Sequence, residues 1–258
     1  MIRALYTAAS GLLSHLRMQE AVANNVANAT TTGYKEDTSA NESFNRVLAQ
    51  RIGNASTPVP LTFRRNLGVV GTGTYQAERG VYLQQGTVTR TEEPLDVAIL
   101  GPGFLATQGE GGQTFYTRNG HFTTDDTGTL MTTDGRAVLG VDGRPIVIDG
   151  EVVNIYRNGE VVVDDQPVGT IALYDIAPTD LVRAEGSAFT TEGPTTLLAA
   201  GREPRFDQGA LEESNTDLAS ETTRLMSTSR QYEANQQLFR EIASNLERVV
   251  NDVGRVGN

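Results

Sequence analysis

A seven-residue apolar repeat closes this chain: Leu211, Leu218, Leu225, Tyr232, Phe239, Leu246 and Val253 recur at a constant interval. A repeat of that period fits an α-helix wound to 3.5 residues per turn, which keeps one narrow stripe turned toward a partner helix. The stripe needs something to pack against, and the opposite end of the chain offers it. There Ile2, Leu5, Ala9, Leu12, Leu16, Gln19, Ala23 and Val26 step by three and four, as alternating a and d positions do. A second C-terminal seam starts with Thr222, Ser229 and Gln236 and turns apolar only at Ala243 and Val250. The C-terminal helix is therefore expected to be held firmly along one stripe and to serve several neighbours rather than one tight zipper. Its start is expected near Leu211, where Glu212, Glu213, Ser214, Asn215 and Asp217 supply acidic and capping side chains for the positive end of a helix dipole.

The first helix is expected to run to about Ala29, with Gly11 costing it about 1 kcal/mol relative to alanine. Three threonines and Gly33 then stop it, since β-branched residues favour extended backbone and glycine admits a positive φ. Phe44, Val47, Leu48 and Ile52 predict one short amphipathic helix, and residues 54–60 a loop. From Gly71 onward the texture changes to short β-type runs separated by turns. The runs include Leu95-Asp-Val-Ala-Ile-Leu100, Phe104-Leu-Ala-Thr, Thr114-Phe-Tyr-Thr-Arg118, Ile146-Val-Ile148, Val152-Val-Asn-Ile-Tyr156 and Glu160-Val-Val-Val163. Asn119-Gly, Asp134-Gly, Asp142-Gly and Asn158-Gly lie between such runs and predict type I′ hairpin turns. Strands this close together leave no room for the crossover helices of a parallel sheet.

The expected fold class is mixed α and β: a discontinuous domain of paired N- and C-terminal coiled-coil helices flanking a central all-β antiparallel module. The expected divisions are a first helix in 1–35, a linker with a short helix in 36–70, the β domain in 71–210 and the last helix in 211–258.

At 258 residues the chain can bury a proper core, so disulfides are not needed, and it contains no cysteine. That removes thiol catalysis and zinc–thiolate sites. A formal net charge of −11 argues against a general nucleic-acid binder, whose phosphate contacts need a basic surface. Lys35 is the only lysine, a bias that genome composition accounts for as readily as function does. The first helix is interrupted by Arg3, His15, Arg17 and Glu20, so it does not read as a signal peptide, and no run is long enough to span a bilayer. Taken alone, that reads as cytoplasmic.

Candidate chemistry has blander explanations. His15 and His121 are the only histidines and have no metal-ligand spacing. Asp125-Asp126 followed by Gly128 reads as a turn. Gly71-Thr-Gly73 and Gly101-Pro-Gly103 do not continue into a phosphate loop, and no serine lies in a Gly-x-Ser-x-Gly context. No catalytic, cofactor or metal site is expected, and no small-molecule substrate. Rival readings are a carbohydrate-binding β protein with helical appendages and a trimeric phage-type fibre.

Asn24-Asn-Val-Ala-Asn-Ala-Thr-Thr-Thr-Gly-Tyr-Lys35 resembles the signature of bacterial flagellar basal-body rod and hook proteins. Pro94-Leu-Asp-Val-Ala-Ile99, Gly103-Phe-Leu105, Tyr116-Thr-Arg-Asn-Gly-His-Phe122 and Thr133-Asp-Gly135 are similar, in order, to the family's β domain. Gly209-Ala-Leu-Glu-Glu-Ser-Asn-Thr-Asp217 and Arg230-Gln-Tyr-Glu-Ala-Asn235 resemble its C-terminal motifs, with Thr216 where valine is usual, a change expected to soften packing at the helix start. Length, the Pro94 motif and Gln166-Pro-Val-Gly169 are similar to the proximal-rod member, whereas Met1-Ile-Arg and Tyr232-Glu-Ala-Asn are similar to the distal-rod member. The resemblance implies a non-enzymatic structural subunit of the basal-body rod. It would be exported unfolded by the flagellar type III apparatus and would polymerise helically with itself and related axial rod and hook proteins. The implied assembly interface comprises Ile2, Leu5, Leu12, Leu16, Val26, Asn24, Asn25, Asn28, Gly33 and Tyr34 at one end, and Leu211, Leu218, Leu225, Tyr232, Phe239, Leu246 and Val253 at the other.

Overall fold

The computed structural model describes residues 2–39, 41–43, 47–52, 64–70, 74–76, 80–198 and 205–255, with side chains described for 5–39, 74, 80–198, 205–249 and 251. Two long helices, α1 (Ile2–Ala27) and α2 (Leu218–Arg255), bracket a run of antiparallel strands. The chain divides into two compact units. One holds residues 1–23, 39–79 and 222–258, the other 24–38 and 80–221.

In the first unit the helices touch in antiparallel order. Gln19 Nε2 donates to Ser229 Oγ at 3.3 Å, and Gly11 faces Asn235, whose Nδ2 lies 3.8 Å from where a Cβ on Gly11 would sit. On α2 the heptad residues Leu225, Tyr232, Phe239 and Leu246 are half-buried, as are Thr222, Ser229, Gln236 and Ala243, while Leu218 is exposed. On α1 the phase differs from the expected one. Leu5, Leu12, Gln19 and Val26 are covered, but Ala9, Leu16 and Ala23 face out, and Ala8, His15 and Val22 take the intervening inward positions. The pattern steps three then four instead of four then three. Adjacent apolar pairs such as Ala8-Ala9 and Leu12-Leu13 let the sequence admit either phase. Ile2 and Val253 lie outside the described side chains.

The short helix expected around Val47 is a strand. Val47–Ile52 pairs antiparallel with Arg64–Val70, and a long-range ladder overrides a weak 3.6-residue pattern that carries two β-branched residues. Phe44 and the loop at 54–60 lie outside the described residues.

The second unit is built on a nine-stranded antiparallel sheet whose spine is Phe104–Gln108. That strand pairs with Thr114–Thr117, Ala137–Val138 and Leu173–Asp175. Ala188–Thr191 and Leu181–Arg183 extend the sheet on one side, Leu130–Thr132 and Phe122–Thr124 on the other. Strand side chains alternate between faces, and here both faces are covered. Leu105 enters one apolar cluster with Val97, Ile99, Leu130, Val138 and Phe206, while Phe104 and Ala106 enter another with Tyr116, Leu181 and Phe189. Coverage on both faces explains why the spine opens with three consecutive apolar residues, Phe104-Leu-Ala106. Ile146 and Ile148, expected on a strand, are buried but joined to their neighbours only by isolated bridges at Pro145 and Val147.

The turns and the start of the last helix differ from expectation. Asp134, Asp142 and Asn158 do not have positive φ; only the glycines after them do, with Gly135, Gly143 and Gly159 each donating to the carbonyl three residues back. These are type I turns closed by a left-handed glycine rather than type I′. The type I′ geometry belongs instead to Asp164-Asp165, both at positive φ, between Glu160–Val163 and Gln166–Thr170. The helix expected from Leu211 begins at Leu218. Ala210–Glu212 is a strand paired with Val88–Arg90, preceded by Arg205–Gln208 paired with Val97–Leu100. The cap is Asp217, whose Oδ1 accepts from Ala219 N at 3.1 Å.

Candidate functional site

Within the second unit, the segment that follows α1 is clasped by the segment that precedes α2. Asn28 finishes α1, its amide donating to Asn24 O at 2.9 Å and its Oδ1 accepting from the Thr31 hydroxyl. Thr32 donates to Asn119 Oδ1 at 2.8 Å. Gly33, at φ +66°, rests directly on the backbone of Arg118 and Asn119: a Cβ there would lie 2.3 Å from Arg118 C. Its N–H donates to Glu212 O at 2.7 Å. Only glycine meets both demands, an open left-handed backbone and contact without a side chain.

Asn25 is fully buried, and both ends of its amide are used. Oδ1 accepts from Tyr34 Oη at 3.1 Å and Asp37 N at 2.9 Å, and Nδ2 donates to Asp37 O at 3.0 Å and Glu221 Oε2 at 3.1 Å. One carboxamide thus ties the end of α1 to the first turn of α2. Tyr34 is equally buried, with the Arg183 guanidinium 4.3 Å from its ring centroid and 4.8 Å from that of Phe189. Arg183 also pairs with Asp37 Oδ1 at 2.8 Å. Burial pushes the Tyr34 phenol up to about 12, against the opposing pull of Arg183.

The only lysine in the chain sits at the centre of the clasp with no solvent exposure. Lys35 Nζ donates to Glu212 Oε1 and to Gln84 O at 2.8 Å. Glu212, also buried, accepts in addition from Gly86 N at 2.9 Å and from Arg118 Nη1 at 3.1 Å. Arg118 continues to Gly101 O at 2.7 Å and lies over the Phe104 ring. Burial lowers the Lys35 amine from its ordinary value while Glu212 pulls it back up. A buried carboxylate between two buried cations is weak as a source of stability yet costly to break, because whatever remains is an uncompensated charge. Asn215 completes the clasp: Oδ1 accepts from Glu36 N at 2.8 Å, and Nδ2 donates to Tyr82 O at 2.8 Å and Gln84 O at 3.0 Å.

Asn25, Gly33, Tyr34 and Leu211 are therefore covered within the subunit, whereas Asn24, Leu16 and Leu218 are exposed. Thr216 is buried with its hydroxyl unpartnered, the physical content of its departure from valine. Elsewhere Asp125 ties its own turn by accepting from Thr127 and Thr129; the hydrogen bond from the Thr127 hydroxyl, chiefly, lowers its pKa. His121 Nδ1 contacts Asp96 Oδ1. Among the described residues no three His, Cys, Asp or Glu side chains cluster as a metal site would need, and no helix is long and apolar enough to cross a membrane. Lys35, Arg118, Arg183 and Glu212 are absent from the sequence-derived interface, although Lys35, Arg118 and Glu212 lie inside the family-like motifs and Lys35 is the solitary lysine.

The three parts of the chain match three family descriptions in order. Residues 5–35 match the flagella basal body rod protein family, 98–163 the flagellar hook protein FlgE/F/G D1 domain, and 207–252 the flagellar basal body rod FlgEFG protein C-terminal region. The chain is 34% identical to the flagellar basal-body rod protein FlgG of Caulobacter vibrioides over 92% of its own length and 94% of that protein's. It is 31% identical to FlgF of the same organism over 99% of this chain and 100% of that one. With the flagellar hook-basal body complex protein FlhO of Bacillus subtilis it shares 29% identity over 99% of this chain and 100% of the relative. The two outer family matches end and begin at the clasp itself, Lys35 within one and Glu212 within the other, and the chain belongs to the flagellar basal-body rod protein family.

Proposed function

We propose that the chain is a structural subunit of the flagellar basal-body rod, exported unfolded by the flagellar type III apparatus and polymerised helically through α1 and α2 with copies of itself and related axial rod and hook proteins. The observation that carries this reading is the state of the helices. They contact one another in antiparallel order, yet leave Tyr6, Leu13, Met226 and Leu238 more than half exposed. Large apolar side chains spread along both helices favour burial against further helices. A repeating heterologous contact of that kind builds an open helical polymer.

On this reading α1 and α2 form a coiled-coil pair. The assembly interface includes Ile2, Leu5, Leu12, Leu16 and Val26 on α1, and Leu218, Leu225, Tyr232, Phe239, Leu246 and Val253 on α2. The half-burial of Leu225, Tyr232, Phe239 and Leu246 supports a seam shared between the subunit's own α1 and its neighbours. Asn25, Gly33 and Tyr34 serve the same end indirectly, by fixing where α1 finishes. The test is substitution of Leu225, Phe239 or Leu246 by aspartate in the native host. Rod assembly and motility should be lost while the second unit keeps its native amide protection; retained motility would remove the seam from the interface.

A further inference from the structure

We propose that residues 209–221 are a closing strap that docks last, and that its docking is what allows the N-terminal segment 24–38 to be buried. This rests on chain order and on the clasp, not on the rod reading. The contacts that hold 24–38 to the strap span nearly the whole chain: Lys35 with Glu212 across 177 positions, Glu36 with Asn215 across 179 and Asn25 with Glu221 across 196. The nine-stranded sheet, by contrast, uses only strands between Phe104 and Leu197, and the apolar cluster around Phe104, Tyr116 and Phe189 includes no strap residue. The sheet has its own partners before the strap arrives.

Charge supplies the gate. Docking 24–38 on the sheet edge brings Lys35 toward Arg118, and each of these cations bonds the Glu212 carboxylate. Without the strap, that docking would bring two like charges together with no anion between them, which is unfavourable. A chain delivered N-terminus first, from a ribosome or through a pore, presents residues 24–38 early and Glu212 near the end. The N-terminal segment therefore stays undocked until almost the entire chain has emerged. The end of α1 and the start of α2 are joined in that same step, because Asn25 meets Glu221 only when the strap is seated.

The solitary lysine makes this measurable in the full-length chain, whose only amines are Lys35 and the α-amine. During refolding from urea, pulses of an acetylating N-hydroxysuccinimide ester report Lys35 access by mass spectrometry, and parallel pulsed hydrogen exchange reports peptides spanning 104–117 and 181–191. The sheet amides should become protected first and Lys35 in a later phase. At equilibrium, Glu212→Gln should leave the sheet amides protected while raising Lys35 acylation on the order of 100-fold or more. Asn215→Ala, which removes no charge, should raise it on the order of 10-fold through loss of the strap's hydrogen bonds. Protection of Lys35 together with or before the sheet would overturn the proposal. So would unchanged Lys35 access in Glu212→Gln, or loss of sheet protection in that variant, which would make the strap part of the core.

Discussion

Truncating Glu212 to alanine is the sharpest probe of the clasp. The carboxylate accepts from Lys35, from Arg118 at 3.1 Å and from Gly86 N at 2.9 Å, and both cations are buried. Breaking a buried ion pair by removing one partner costs about 3–5 kcal/mol. Lys35 sets an independent bound. If it enters the folded variant neutral at pH 7, releasing its proton from the ordinary 10.5 costs about 1.36 kcal/mol per pH unit, roughly 5 kcal/mol in all. The sign follows. A lysine whose folded pKa lies below its unfolded value binds fewer protons folded than unfolded, so stability rises with pH up to the unfolded value. Glu212→Ala should therefore lose about 3–5 kcal/mol at pH 7 and regain up to about 2.7 kcal/mol by pH 9. Adding Lys35→Met should abolish the pH dependence. Lys35→Met alone should cost less, about 1–3 kcal/mol, since Glu212 keeps Arg118 and Gly86. Urea unfolding at the two pH values, followed by the near-UV signal of the buried Tyr34 and of the Tyr116–Tyr174 ring pair, reads these differences. A loss below about 1 kcal/mol, or one indifferent to pH, would refute the reasoning that Glu212 neutralises two buried cations.

Four further outcomes are expected. Tyr34 should ionise near pH 12; because its folded pKa lies above 10, stability should fall by about 2–3 kcal/mol between pH 10 and 12, and absorbance at tyrosinate wavelengths in Tyr34→Phe should lose that step. Gly120→Ala should be severely destabilising, since its Cβ would lie 1.8 Å from Val97 O, and Gly33→Ala likewise; soluble yield and melting temperature report both. Gly11→Ala should instead stabilise the first unit by about 0.5–1 kcal/mol, because the nearest atom is at an ordinary 3.8 Å and helix propensity improves; helical signal on heating checks it. Thr216→Val should stabilise by about 1 kcal/mol in urea by removing a buried, unpartnered hydroxyl.

The sequence by itself determined the features whose physics is local. Two helices were legible because heptad spacing is a property of one segment, and the β character of the middle because short apolar runs and turn residues alternate there. The family was legible because its motifs are contiguous strings. Tertiary structure decided the rest. Leu211 and Glu212 open a stretch of acidic and capping residues that suits a helix start, yet they belong to a strand because Val88–Arg90 offers a ladder more than a hundred residues away. The phase of α1 turned on Ala8, His15 and Val22 rather than Ala9, Leu16 and Ala23, a choice that neighbouring apolar pairs left open until α2 lay beside it. Most of all, nothing in the string links Lys35 to Glu212. A charge can be kept out of water only where its counter-charge is delivered to it, and across 177 positions that delivery depends on the path of the folded chain, not on any pattern along it.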